Sequence, residues 1–258
     1  YYVSTAYSQS ASSIQSYVDA LDDFQDHGVV VYALTNDDDF TDADMSAGLA
    51  VLFPELNEAF IAAANVDVYW NGSALSYVLM SGPCGQTASH CLSADGTDMT
   101  LGNQFDSGTS YWANSTGTSF AAPTISGAIA LLAEHFPNQT PEQWTKRLFA
   151  SANNVLGFAQ TGSVTFGNGV VHGYSNEAGH GMLDIYAALQ PILSSSSARQ
   201  LYAGANQLGG NSFDLDQSFV QSSRSFGDAI SNALNNEQTY FYDALDGGFA
   251  QCNVIAAT

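Results

Sequence analysis

The sequence predicts an α/β protein built on a parallel sheet, and three observations carry that reading. A stretch with helical apolar spacing, "ASSIQSYVDALDDFQDH" (11–27), runs directly into the continuous apolar stretch "GVVVYAL". A run of that kind, rich in β-branched residues, suits a strand buried on both faces. Further on, "SFAAPTISGAIALLAEH" repeats small apolar residues at helical spacing, the pattern of a helix enclosed on nearly all sides. Helices alternating with buried strands are the grammar of βαβ units. With 258 residues, 45% of them apolar, the chain can fill the core of one large domain or two small ones.

Taken in order, Ile14, Tyr17, Val18, Leu21 and Phe24 form the apolar stripe of the first helix, and Gly28 stops it. The buried strand follows and ends in the polar "TNDDD". Two more short strands, "NVDVYW" (65–70) and "LSYVLM" (75–80), flank the turn "NGS". Residues 81–116 read as loop-rich, and no strand is placed there. From Ser119 a helix carries Ala121, Ala122, Ile125, Ala128, Ile129, Leu132 and Ala133 on its buried stripe. In "NQTPEQWTKRLFASANN", Thr140 is the predicted N-cap, Pro141 the first helical residue, and Trp144, Leu148 and Phe149 the apolar stripe. At "SSSSARQ" the composition shifts towards Ser, Gly, Asn and Gln, which divides the chain into a body (1–193) and a tail or linker (194–258), irregular or β-rich.

Composition excludes some partners. Four Lys+Arg against 25 Asp+Glu give a formal charge of −21, which repels phosphate backbones and anionic lipid and argues against nucleic-acid or membrane-surface binding. No apolar run approaches the roughly 20 residues that span a bilayer. The sequence opens on Tyr1 with neither Met nor a charged-then-apolar leader, so a processed chain is expected. Cys84 and Cys91, in "CGQTASHC", predict a local disulfide and an oxidising compartment. Two free buried thiols remain the alternative, because spacing alone does not show bonding.

The chemistry centres on Ser119. A serine hydroxyl is a weak nucleophile that needs a base and an oxyanion donor. At the amino end of a buried helix, its own N–H and the helix dipole face the place where negative charge would develop. Gly117 suits a tight turn before it, and Pro123 suits a first helical turn, where its missing N–H costs nothing. On the residues alone, an N-cap serine without chemistry is the competing reading.

The run "STGTSFAAPTISGAIALL" closely resembles the nucleophile segment of the subtilisin-like serine proteases, the subtilases, with Phe120 where Met is usual. "GVVVYALTN" resembles the buried strand that precedes their oxyanion asparagine. The resemblance implies a subtilisin-like parallel sheet with helices on both faces, Ser119 as nucleophile, Asn36 as oxyanion donor, and Ala33, Leu34 and Thr35 along the substrate pocket. Thr35 replaces the family glycine at the base of that pocket. "AGLAVLFPEL", "CGQTASHC" and "AGHGMLDIYAALQP" are similar to the passenger protease domains of bacterial autotransporters, which implies a secreted or cell-surface bacterial protein.

In subtilases the Asp and His precede the asparagine, so the resemblance implies that both lie before Tyr1. The five histidines, His27, His90, His135, His172 and His180, are read as packing or surface residues. The chain is therefore expected to be the carboxyl-side portion of a serine endopeptidase. An amino-side fragment of the same precursor is its expected partner and a polypeptide its substrate. The alternative is a catalytically inactive subtilase-fold structural or binding subunit. No cofactor is expected: "DDDFTDAD" (37–44) offers hard oxygens to Ca²⁺ but lacks the spaced ligands and glycine of a calcium loop, and reads as a solvated acidic loop.

Overall fold

The computed structural model describes residues 2–73, 75–102, 112–154, 157–193 and 238–252. Helix α1 (Tyr2–Gln25) leads into strand β1 (Val30–Ala33), a short helix α2 (Leu49–Leu52), and strands β2 (Phe60–Trp70), β3 (Leu75–Leu79) and β4 (Cys91–Ala94). A hairpin of β5 (Met99–Gly102) and β6 (Trp112–Ser115) precedes helices α3 (Thr118–His135) and α4 (Pro141–Ser151). Strands β7 (Gly162–Phe166) and β8 (Val170–Tyr174), helix α5 (Ile185–Ala188), and strands β9 (Gln238–Tyr242) and β10 (Gly248–Cys252) complete the described order.

The sheet is organised around β2. Its first half pairs in parallel with β1, from Val30↔Phe60 to Ala33↔Ala63, and with β4, from Ala62↔Cys91 to Asn65↔Ala94. Its second half turns into the antiparallel hairpin with β3, from Val66↔Leu79 to Trp70↔Leu75. The expected strand 65–70 is thus only the second half of a longer one, buried at Asn65 and Val66 and exposed at Tyr69 and Trp70. The missed part, "FIAAA", is buried on both faces, so it has no alternation for a sequence reading to detect. Residues 81–116, where no strand was placed, hold β4, β5 and β6, each four residues long.

Alternation along β2 sorts its side chains between two layers. Ile61 and Ala63 join Leu92, Ala121, Ile125, Leu132 and Leu148 beneath α3 and α4. Phe60 packs with Val18 of α1, Val30 and Leu56, while Ala62 and Ala64 meet Leu34, Cys84 and Cys91. Helices therefore cover both faces, the α/β arrangement the sequence predicts. The alanines let α3 approach the strands closely, which its own small residues also favour. In α4 the predicted cap is present as a reciprocal box: Gln143 N–H donates to Thr140 Oγ1 (3.3 Å) and Thr140 N–H to Gln143 Oε1 (2.9 Å).

Two clips hold distant segments to this body. Cys84 and Cys91 are disulfide-bonded with Cα atoms 6.0 Å apart, so the free-thiol alternative falls. The bridged turn is bound to the 176–180 segment by Cys84 N–H to Glu177 O (3.1 Å) and His180 N–H to Cys91 O (2.9 Å). The second clip is the β9–β10 hairpin, whose Leu245 and Phe249 enter the core beside α3 and α4. There the fully buried Arg147 of α4 pairs with Asp243 and lies 4.3 Å from the centre of the Phe136 ring. Residues 194–237 of the predicted tail lie outside the described residues. Among the described residues no helix is long and apolar enough to cross a membrane.

Candidate active site

Where β1 ends, the chain keeps its sheet register for one more residue through Leu34 N–H to Ala63 O (3.0 Å), and then turns out at Thr35 and Asn36. Leu34 is buried, so its side chain anchors the strand end in the layer around the disulfide. Asn36 is exposed. Its Oδ1 accepts the backbone N–H of Thr118 at 2.8 Å and lies 3.0 Å from the Thr118 hydroxyl, which donates to Leu34 O at 2.7 Å. The N–H donor fixes which end of the amide is oxygen, since a flipped amide would set donor against donor. The two Nδ2 protons of Asn36 consequently face away from Thr118 and have no partner among the described residues.

Gly117 stands between these groups. A Cβ there would sit 3.3 Å from Asn36 Oδ1 and 3.4 Å from Nδ2, so the glycine is needed for the close approach of the amide. Its φ of 165° is extended backbone open to any residue, so the glycine serves that contact and not a left-handed conformation.

Ser119 is the second residue of α3, exposed, at the end where the helix leaves its N–H groups unpaired. The first N–H, of Thr118, goes to Asn36 and the third, of Phe120, to Gly117 O (3.0 Å). The N–H of Ser119 itself has no acceptor among the described residues. It lies at the positive end of the helix dipole. Pro123 is the sixth helical residue, not part of the first turn as expected. A residue there would normally donate to the carbonyl four positions back, so Pro123 leaves Ser119 O without its helical partner.

No histidine or carboxylate among the described residues is hydrogen-bonded to Ser119. His172 and His180 are buried together, with Nδ1 atoms 3.2 Å apart, while their Nε2 atoms meet Ala152 O (2.9 Å) and Ser89 O (3.1 Å). Burial, reinforced by the neighbouring His172, holds His180 down to about 3, and burial also lowers His172 and His90. These rings are neutral packing groups of the disulfide side.

The residues expected along a substrate pocket fall in different settings. Ala33 is the half-buried last residue of β1 and Leu34 is interior. Thr35 backs onto the Ser81–Pro83 segment, where Gly82 N–H donates to Thr35 O (2.9 Å) and a Cβ on Gly82 would stand 2.7 Å from Thr35 Cγ2. Beside this contact lies a cavity of about 720 Å³ lined by Asp38, Phe40, Asp42, Pro83 and Glu177 among others. The acidic loop spends its carboxylates on backbone: Asp44 accepts from Ser46 and Ala47, and Asp42 from Ala43 and Gln86. Those bonds hold Asp42 below the usual carboxylate range against the opposing effect of burial, which is the largest single influence. Among the described residues no three of His, Cys, Asp or Glu converge where a metal ion could sit.

Sequence reasoning passed over Thr118, although the residue is inside the quoted motif. Its role depends on which side of the Asn36 amide meets the helix, and spacing does not carry that information.

The geometry can be set beside known proteins. A family model described as the subtilase family, Peptidase S8, matches residues 3–181. An extracellular serine protease of Serratia marcescens is 29% identical over 137 residues, covering 45% of this chain and 12% of its own length. Among solved structures, the subtilase cytotoxin SubAB assembly gives a TM-score of 0.50 at 18% identity, over 70% of this chain and 53% of that one. Fervidolysin from Fervidobacterium pennivorans, a keratinolytic enzyme related to subtilisin, gives 0.47 at 22% identity, over 67% of this chain and 25% of that one. The chain therefore spans a minor part of the curated relative and of fervidolysin.

Proposed function

The chain belongs to the subtilase family, and from that premise we propose that it is the carboxyl-side, nucleophile-bearing part of a secreted serine endopeptidase. In this reading Ser119 Oγ attacks the carbonyl carbon of a peptide bond and gives its proton to a base. The carbonyl oxygen gains the negative charge and is received by the Ser119 N–H and an Nδ2 proton of Asn36. The carbonyl then re-forms as the C–N bond breaks, the amine leaves with the base's proton, and water later releases the acyl group from Ser119 by the same route.

The observation that carries the proposal is the Thr118 N–H held by Asn36 Oδ1 at 2.8 Å. That bond ties Asn36, just past the end of β1, to the amino end of α3, and in this reading the Asn36 amide and the Ser119 N–H serve one oxyanion. Preorganised donors of this kind cost no reorganisation when charge develops.

The Asp and His of the reaction come, in this reading, from an amino-side segment of the same precursor. Among the described residues β1 pairs with β2 alone, leaving its other edge with unpaired backbone groups and half-buried side chains. Such an edge accepts another strand readily. Secretion is in keeping with the disulfide, with the acidic surface, and with the extracellular Serratia protease. The likeness to autotransporter passenger domains extends this to a bacterial surface or secreted enzyme.

The test is to incubate the protein, together with its amino-side segment, with a slowly deacylating peptide ester and to measure its intact mass after acid quench. An added acyl mass that maps to the peptide containing Ser119, and that is absent in Ser119→Ala, is expected. Turnover without any adduct on that peptide, or turnover surviving Ser119→Ala, contradicts the proposal. A protein that forms no adduct and turns nothing over answers instead to the inactive subunit.

A further inference from the structure

Asn65 is a fully buried amide on β2, in a stretch whose other members are Ala62, Ala63, Ala64 and Val66. By alternation it lies on the face of Ile61 and Ala63, the face turned to α3. Its Oδ1 accepts the N–H of Gly96 at 2.8 Å, and Gly96 O in turn accepts the N–H of Gly117 at 3.0 Å. Gly96 is wedged in place: a Cβ there would meet Gly117 O at 2.5 Å, Ala121 N at 2.9 Å and Asn65 Oδ1 at 3.2 Å. Asn65 itself is fixed by the strand, since its N–H donates to Ser81 Oγ (3.2 Å) and its C=O accepts from Met80 N–H (2.8 Å).

The Asn65 Nδ2 group has no hydrogen-bond partner among the described residues. An apolar residue would fill this place without that penalty, so the amide is poor packing chemistry and is explained by the one bond it makes. We propose that Asn65 is a positioning residue for the proposed reaction, which sets the turn before Ser119 from the sheet side through Gly96 and Gly117, as Asn36 sets it from the strand end. The inference rests on the reading of Ser119 as nucleophile. A small displacement of such a group is costly, since about 1 Å of misplacement removes on the order of a hundredfold in rate.

The experiment compares Asn65→Leu, which withdraws the acceptor, with Asn65→Asp, which keeps it, in the protein carrying its amino-side segment. Asn65→Ser, too short to reach Gly96, replaces the leucine variant if leucine does not fold. Two readouts are taken per folded molecule: the rate at which a fluorophosphonate labels Ser119, with kcat and KM on a peptide substrate, and the amide hydrogen exchange of the 95–98 and 115–118 segments relative to 60–64. The acceptor-less variant is expected to lose about tenfold or more in labelling and kcat, with KM nearly unchanged and faster exchange at Gly96 and Gly117. The aspartate variant is expected to regain most of the labelling rate. Wild-type labelling and unchanged Gly117 exchange in the acceptor-less variant would overturn the inference. If wild-type Ser119 takes no label at all, the protease reading fails, and with it the catalytic part of the inference. The exchange data then decide the turn-setting part alone, for it if Gly117 loosens and against it if Gly117 does not.

Discussion

Asn36 joins the two sides of the site because its oxygen, and not its nitrogen, meets Thr118. Asn36→Leu removes the outward donor and strands the Thr118 N–H. Its predicted effect is a loss of about 10²–10³ in kcat with a small change in KM, the magnitude known for such a donor in this family, measured by steady-state peptide hydrolysis. Gly117→Ala is predicted to act through the same amide, since the new methyl presses on Asn36 at 3.3 Å, and to lower kcat more than it lowers the unfolding midpoint. Ser119 and Asn36 were legible because each sits in a motif whose residue types are dictated by local chemistry. The working parts around them were not. Gly117 reads as a turn residue until the position of Asn36 is known, and Pro123 reads as a first-turn proline until the helix start is fixed at Thr118. Those facts come from long-range contacts, which one-dimensional spacing does not encode.

Between elements, the largest electrostatic commitment is the Arg147–Asp243 pair that fastens the β9–β10 hairpin to α4. Arg147 also donates to Ala188 O (3.1 Å) and Gln190 O (3.2 Å), and Asp243 accepts from Ile192 N–H (2.9 Å) and Gly247 N–H (2.8 Å). Asp243→Ala leaves a guanidinium unpaired in the interior and is predicted to cost about 3–5 kcal/mol in denaturant unfolding. Glu142→Ala, which breaks the half-exposed pair with Lys146, is predicted to change stability by about 1 kcal/mol or less. Helices α3 and α4 and the Thr140 cap of α4 could be read in advance, because small-residue periodicity and the Thr-Pro sequence are local signals. The first half of β2 could not, since apolar runs buried on both faces look alike whether strand or helix, and β4 could not because its four residues, Cys-Leu-Ser-Ala, are buried throughout and show no alternation. The hairpin was hidden for another reason: its anchor is a salt bridge to a residue 96 positions away.

Across the whole molecule, pH acts through the histidines of the disulfide side. The folded state holds His180 near 3 against an ordinary 6.5, so it accepts only the neutral ring. The stability this provides is complete above about pH 6.5 and is lost as pH falls from there towards 3. Unfolding free energy measured at fixed temperature is predicted to decline through that window, and His180→Phe, which keeps the stacking on Phe149, is predicted to flatten the decline. The fold class was legible at this scale because buried helix and buried strand alternate in sequence. The completeness of the site is a different matter: the Thr118 bond ties Asn36 to the amino end of α3, and no histidine or carboxylate among the described residues is hydrogen-bonded to Ser119. Losing the general base of a Ser-His-Asp site costs on the order of 10⁶ in kcat. The most direct measurement is therefore fluorophosphonate labelling of Ser119, mapped by mass, for the chain with its amino-side segment and for the chain alone. The account predicts rapid labelling at Ser119 with the segment, none after Ser119→Ala, and almost none for the chain alone. An unlabelled Ser119 in the presence of that segment would contradict it.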